Sequence, residues 1–370
     1  MLHSIHGFLR FIAEMETEME IADKLIQTHF LTKEEALELL AHAGNKEMAA
    51  RLAQEAVKLR QSYYGNKVFI RGLIEFTNHC KNNCYYCGIR RGNGKVKRYR
   101  LTEDEILECC DSGYELGFRT FVLQGGEDPY YTDERMTALV KRIKETYPDC
   151  ALTLSVGEKS RASYAQLRKA GADRYLLRHE TADEKHYGIL HPKEMSLAAR
   201  KQCLYDLKEL GYQVGAGFMV GSPGQTRESL AEDLVFLQEL GPQMVGIGPF
   251  VPHHETRFAG EPAGSVELTL FLLSVIRILL PKALLPATTA LGTMDSDGRE
   301  KGLAAGANVI MPNLSPMKNR KQYDLYDNKI STGEEAAECL DSLKRRVATA
   351  GYRLVCERGD FAGEQFSGRT

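Results

Sequence analysis

No surplus of charge, no long apolar run and no disulfide framework marks this sequence of 370 residues. Its 48 basic and 50 acidic side chains leave a formal net charge of −2, and the pI is near 6.6. That balance points to neither a nucleic-acid surface nor a membrane surface. No apolar stretch approaches the ~20 residues a bilayer-spanning helix needs. Residues Met1 to Ala13 are interrupted by His6 and Arg10 and lack a small-residue cleavage site, so they predict an amphipathic helix and not a signal peptide. No low-complexity segment or linker divides the rest. Of nine cysteines, Cys109, Cys110, Cys150, Cys203, Cys339 and Cys356 are scattered and read as buried or surface thiols. A reducing cytoplasm is the compartment expected.

The other three, Cys80, Cys84 and Cys87, form a C-x3-C-x2-C run. Three thiolates on a short loop are one ligand short of closing an iron-sulfur cube, and a 4Fe-4S cluster so held keeps one iron open to an outside molecule. Two other readings exist for the loop alone. Structural zinc wants four ligands, usually as two separated C-x2-C pairs, and no second pair follows. His79, adjacent to its would-be fellow ligand, is awkwardly placed to complete a set. Three unrelated core thiols are the remaining alternative.

After an α-rich start with a capping box at Thr32 to Glu35 and a C-cap expected at Gly44, strands and helices alternate from Lys67. Runs with β character are Val68–Phe76, Thr120–Gln124, Ala151–Val156, Arg174–Arg178, Gln213–Val220, Met244–Ile247, Leu284–Ala287 and Asn308–Met311. Helical patterns lie between them, among them Asp133–Tyr147, Ser196–Leu210, Arg227–Leu240 and Val266–Leu280. A further capping box at Thr102 to Glu105 opens a helix after the cysteine loop, which makes that loop the first βα loop of a parallel unit. The expected fold is α/β, a complete (βα)8 TIM-type barrel at residues 67–313. Helical extensions flank it at 1–66 and at 314–370, the latter closing the barrel. Ligands of such folds collect at the carboxyl ends of the strands.

Those ends are rich in polar residues and glycine. Gln124, Gly125, Gly126, Glu127 follow the second run, as a ligand-binding loop or as a tight turn. Arg178 and Glu180, two residues apart, point the same way if the strand continues, and an ion pair inside a barrel argues for an occupied polar cavity. A surface-facing pair is the alternative. Arg71 stands among core residues and Arg200 opens a helix. Gly215 to Gly217 and Gly246 to Pro249, including Ile247, leave room for a flat ring against backbone. Thr288 and Thr289 offer hydroxyls and amides to an anion. The GSPGQT stretch from Gly221 to Thr226 lacks the lysine of a phosphate loop, and His253 and His254 read as a solvated loop.

The cysteine run, with the aromatic Tyr86 before its last cysteine, resembles that of the radical S-adenosylmethionine (SAM) enzymes. The resemblance implies that the open iron chelates SAM, that an electron from the cluster cleaves it to a 5'-deoxyadenosyl radical, and that the Gly125–Gly126–Glu127 stretch binds the methionine amino group. The stretches IEFTNHCKNNCYYCGIRR, RYLLRHETAD, GAGFMVGSPGQT, MVGIGPFVPH, PATTALGT and GANVIMPN, spread from residue 74 to 313, closely resemble the HydE family of FeFe-hydrogenase maturases. That resemblance implies that Arg71, Gln124, Arg178, Thr288, Thr289, Met311 and Tyr326 line the substrate end. Tyr86, Glu180 and Arg200, with Gly217 and Ile247, would surround SAM. It further implies an iron-carbonyl-cyanide-cysteine substrate and three kinds of partner: a tyrosine-cleaving radical SAM maturase, a scaffold GTPase, and an electron donor such as ferredoxin or flavodoxin. Some members hold an auxiliary cluster on three further cysteines. Here Asp327 to Leu340 contains only Cys339, so one cluster is expected. Methylornithine synthase and biotin synthase share the loop, and a non-catalytic iron-sulfur carrier is the alternative of another class.

Overall fold

The computed structural model describes residues 19–330 and 339–363; the helix expected at Met1 to Ala13 lies outside them. Both expected capping boxes form: Thr32 starts the helix Lys33–Ala41 and Thr102 starts Glu103–Glu115, each with reciprocal bonds to the Glu three residues on. The first of these helices is capped by His42, two residues before Gly44, and Asn45 then caps Lys46–Tyr64.

The strands are β1 (Lys67–Ile70), β2 (Gly72–Thr77), β3 (Thr120–Gly125), β4 (Ala151–Ser155), β5 (Arg174–Leu176), β6 (Gln213–Ala216), β7 (Met219–Val220), β8 (Met244–Val245), β9 (Gly248–Pro249), β10 (Val309–Ile310) and β11 (Arg353–Val355). They form three sheets, ordered β2-β3-β4-β5-β6-β8, β10-β1-β11 and β7-β9. Every pair is parallel. Helices such as Asp133–Thr146, Leu197–Glu209, Arg227–Leu240 and Val266–Leu279 run between the strands. The strands are covered on both faces, which is why Leu73, Ile74, Phe76, Phe121, Val122, Leu123, Leu152 and Leu154 are all buried. Among the described residues no helix is long and apolar enough to cross a membrane.

The expected strands break where the chemistry changes. The run Val68–Phe76 divides at Arg71, whose amide still donates to the Ile310 carbonyl at 3.0 Å. Gln213–Val220 divides at Gly217, whose φ is +152°. Leu284–Ala287 makes only two isolated bridges, Met244 with Leu284 and Pro286 with Val309. Pro286 has no N–H to extend a ladder. Past Ala305 the chain bridges again, Leu73 with Asn313.

The C-terminal extension visits both ends of the sheet. Residues 313–330 lie across the carboxyl ends, where Asn78 Nδ2 donates to the Gln322 carbonyl and the Gly88 amide to the Leu325 carbonyl. Residues 353–362 cover the amino ends: β11 pairs with the start of β1, and Arg174 at the start of β5 donates to the Arg358 and Gly359 carbonyls and to Asp360.

Candidate active site

The cysteine loop follows β2 directly. Arg98 holds its far side, donating to the carbonyls of Asn78, Ile89, Arg90 and Asn93 at 2.5 to 3.2 Å. Four backbone groups are thereby satisfied by one guanidinium, a local reason for the loop to keep its shape. Cys80, Cys84 and Cys87 are free and half-buried. Burial pushes all three thiols up, Cys87 to about 12, and the next cause is a neighbouring cysteine for both Cys84 and Cys87. The sulfurs therefore share one electrostatic patch. They are not gathered within the 4.8 Å span that three ligands of a single ion occupy. Zn–S bonds of ~2.3 Å would draw thiolates to within roughly 4 Å of each other. Donor type, number and spread fit a cluster better than a single ion.

The glycine stretch after β3 is packed onto this loop. A side chain on Gly126 would meet the His79 carbonyl at 2.2 Å and Cys80 Cβ at 2.8 Å, so only glycine allows this approach. The Lys81 amide donates to the Glu127 carbonyl at 2.8 Å. Glu127 Oε1 accepts from the Glu158 amide at 3.0 Å and lies 4.0 Å from Arg200 Nη1, while Arg200 Nε is 3.0 Å from Glu158 Oε1. Burial works against the Arg200 charge, but Glu158, Tyr187 and Glu127 outweigh it and the guanidinium is held above its ordinary range. A cleft of about 300 Å³ opens here, lined by Lys81, Gly126, Glu127, Asp128 and Glu158 among others.

Arg178 and Glu180 do pair, Nη2 to Oε2 at 3.0 Å, by a different route from the one expected. β5 has already ended at Leu176, and Glu180 sits at φ +67°, in the left-handed region. Its amide donates to the Gly217 carbonyl and it bridges Phe218. The room expected at Gly217 is taken by the Gly246 carbonyl, 2.0 Å from where a side chain would start. Ile247 is fully buried beside it. Tyr86 packs edge-on to His191, its hydroxyl 3.4 Å from Nε2. Burial raises the phenol and lowers His191 to about 3.

Deeper between the strands, Arg71, Thr153, Met244 and Met311 line an enclosed cavity of about 30 Å³. Arg71 spends one N–H on Met244 Sδ at 2.9 Å; its Nε and Nη2, like Thr153 Oγ1, are buried without a hydrogen-bond partner. Thr288 Oγ1 is in the same state, approached closely because Gly248 has no side chain. Thr289 begins the short helix Thr289–Met294. Buried polar atoms seldom stay unsatisfied in a folded protein, so this density of them fits a polar guest. Gln124 contacts Tyr323, and Tyr326 lies between Leu325, bonded to Gly88, and Asp327, bonded to Pro252.

The Radical SAM superfamily model matches residues 74–237. The FeFe-hydrogenase maturase subunit HydE of Thermotoga maritima is 46% identical over 339 residues, 91% of this chain and 95% of that protein. The chain belongs to the HydE family of radical SAM hydrogenase maturases. A 3-methylornithine synthase of Methanosarcina barkeri is 32% identical over 90% of this chain and 93% of its own length. Among solved structures, methylornithine synthase superposes with a TM-score of 0.79 at 31% identity, covering 90% of this chain and 97% of that one. The maturase HydG, at 21% identity over 92% of this chain and 76% of that one and a TM-score of 0.77, shares the fold.

Two features of this HydE chain escape a reading of its sequence, and a third corrects one: His253, expected with His254 in a solvated loop, is buried. His179, between Arg178 and Glu180, accepts the Gly217 amide at Nδ1, so Nε2 carries the proton donated to Asp233 Oδ1 at 3.1 Å. Both groups are fully buried; burial drives His179 well down and Asp233 well up. Glu75, fully buried on β2, is ion-paired with Lys329 and accepts from Asn313 Nδ2 at 2.9 Å. His253, His254 and Asp327 offer ligand atoms within 4.8 Å of one another. The two imidazoles stack 4.5 Å apart and nearly parallel, and each bonds its own carboxylate, Asp324 or Asp327, which accounts for the pair without an ion. The stretch around Cys339 lies largely outside the described residues.

Proposed function

We propose that this HydE-family enzyme works with one 4Fe-4S cluster on Cys80, Cys84 and Cys87, and on a small anionic iron-carbonyl-cyanide-cysteine complex destined for the dinuclear subcluster. When bound, the reduced cluster supplies the electron that splits SAM into methionine and a 5'-deoxyadenosyl radical. The protein's own residues bind, orient and exclude water. Gly125, Gly126 and Glu127 take the methionine end of SAM. Arg200, Glu180, Tyr86, Gly217 and Ile247 surround the remainder. Arg71 and Arg178 supply positive charge to an anionic guest, with Gln124, Thr288, Thr289, Met311 and Tyr326 shaping its chamber.

The observation that carries the reading is the 46% identity to a HydE across nearly the whole chain; the unsatisfied buried polar atoms of Arg71, Arg178 and Thr288 support a polar guest. The domain limits 67–313 and a closed (βα)8 barrel belong to the same proposal. The isolated bridges Met244–Leu284, Pro286–Val309 and Leu73–Asn313 support closure. The partners are a tyrosine-cleaving radical SAM maturase, a scaffold GTPase and a low-potential electron donor, in the cytoplasm.

The test is anaerobic reconstitution, followed by SAM cleavage under dithionite and in vitro maturation of an apo-hydrogenase. Reconstituted protein should form 5'-deoxyadenosine and support maturation, with no 3-methylornithine or biotin produced from extracts. A protein that binds iron but never cleaves SAM would be a carrier, and the proposal would fail.

A further inference from the structure

The residues flanking the cysteine loop carry a charge imbalance that the proposed chemistry at its buried side does not use. Between Lys81 and Arg100 stand seven cations, Lys81, Arg90, Arg91, Lys95, Lys97, Arg98 and Arg100, and not one acid. The chain as a whole is at −2. Among the described residues four of the seven have a carboxylate within 4.0 Å: Lys81 has Glu127, Arg91 has Glu194, Lys95 has Glu255 and Arg100 has Asp128. Seven less four leaves +3, on Arg90, Lys97 and Arg98. Of the paired cations, Lys81, Arg91 and Lys95 have side chains 54%, 65% and 76% exposed, where pairing is weak and screened.

This basic surface lies directly on the loop. The Arg91 amide donates to the Asn82 carbonyl at 2.8 Å, and Asn83 Oδ1 accepts from Arg90 Nη1 and the Gly92 amide. Asn82 and Asn83 are two of the three residues between Cys80 and Cys84, so the cationic turn packs against the segment that carries the sulfurs. The opposite side of the loop is covered by Gly126, Tyr86 and the segment around Leu325. The cationic turn is thus hydrogen-bonded to the segment that carries the half-buried thiols.

We infer that this face, centred on Arg91 and Lys97, is the docking surface for a small acidic one-electron carrier. The inference rests on the proposed function, because it needs a cluster at the three cysteines. The exchange is one electron: the carrier is oxidised by one, the cluster is reduced by one, and no atom is transferred. Positive potential beside the cysteine loop raises the encounter rate of an acidic partner and orients it, an effect of ~10- to 10³-fold that fades with salt.

The experiment compares reconstituted wild type with an Arg91→Glu/Lys97→Glu variant, using an acidic flavodoxin hydroquinone as reductant and dithionite as the small-molecule control. Binding is read separately by NMR titration of labelled oxidised flavodoxin. We expect the variant to keep its dithionite-driven SAM cleavage and iron content. Flavodoxin-driven kcat/KM should fall at least tenfold at low ionic strength, binding should weaken with it, and both gaps should close near 0.5 M salt, where the screening length is only ~4 Å. Equal flavodoxin-driven rates in variant and wild type would overturn the docking face. Equal loss with dithionite would also overturn it, since the damage would then lie in the loop. Absence of SAM cleavage by wild type with dithionite would overturn the proposed function as well.

Discussion

Replacing Lys329 by Met is the sharpest probe of what holds the mouth of the site together. Glu75 is fully buried and Lys329's side chain is 9% exposed. Their pair joins β2, which leads into the cysteine loop, to the segment covering the carboxyl ends of the strands. The Lys329 ammonium also donates to the Tyr323 carbonyl at 3.0 Å. Without it Glu75 keeps one bond, from Asn313. Stranding a buried charge costs ~3–5 kcal/mol, far more than losing an exposed ion pair. If the segment relieves this by lifting away, amides in residues 322–330 should exchange ~10²- to 10³-fold faster, at ~1.4 kcal/mol per factor of ten. Hydrogen-exchange mass spectrometry of that peptide reads the effect, and thermal unfolding reads the global part. Adding Glu75→Gln should restore at least half of the protection, because the partner charge is then gone as well. Single-variant exchange within threefold of wild type, or a double variant worse than the single, would refute the argument.

Serine at Cys80, Cys84 or Cys87 replaces a soft thiolate by a hard hydroxyl and should remove most iron and the visible charge-transfer absorption of reconstituted protein. Cys339→Ala should leave iron near four per chain, the stoichiometry of about one 4Fe-4S cluster. Arg178→Leu should lower maturation at least tenfold with SAM affinity retained, whereas Arg200→Leu, which strands Glu158 and Glu127, should weaken SAM itself by equilibrium dialysis; equal effects on both readouts would contradict the assignment. His179, His186 and His191 are all held down by burial, His191 to about 3. The unfolded chain therefore binds protons that the fold excludes, and their stability is present above the unfolded value of ~6.5 and lost as pH falls below it, by up to ~1.4 kcal/mol per unit for each histidine. Urea midpoints should drop from pH 7.5 to pH 5.5, and an unchanged or higher midpoint at pH 5.5 would show that these rings are not excluded from protonation.

Sequence exposes what is local. The three cysteines, both capping boxes and the Gly125–Gly126 turn sit within a few residues of everything that defines them. Arg178 and Glu180 show the limit of that reasoning: alternation along a strand brought them together on paper, while the chain does so through a left-handed Glu180 after β5 has ended. The gap at Gly217 was visible, but its occupant, the Gly246 carbonyl, belongs to another strand. Lys329 and Glu75 are 254 residues apart, and a lysine before a polar stretch carries no periodic signal of burial. β11 has three residues, one of them exposed, too short for alternation to register.

The placement of β1 between β10 and β11 has a consequence for how the molecule is made. The first strand of the sheet cannot obtain either of its neighbours until the last part of the chain has left the ribosome, at ~5–20 residues per second. The cysteine loop, which follows β1 and β2, emerges early, and its cover arrives late: Asn78 waits for Gln322 across 244 residues. Throughout that interval the three thiols stand on a nascent chain that has not yet closed over them. Metal loading and completion of the fold thus compete in time, and an iron-sulfur donor that acts during synthesis meets a far more open loop than one that acts on the finished protein.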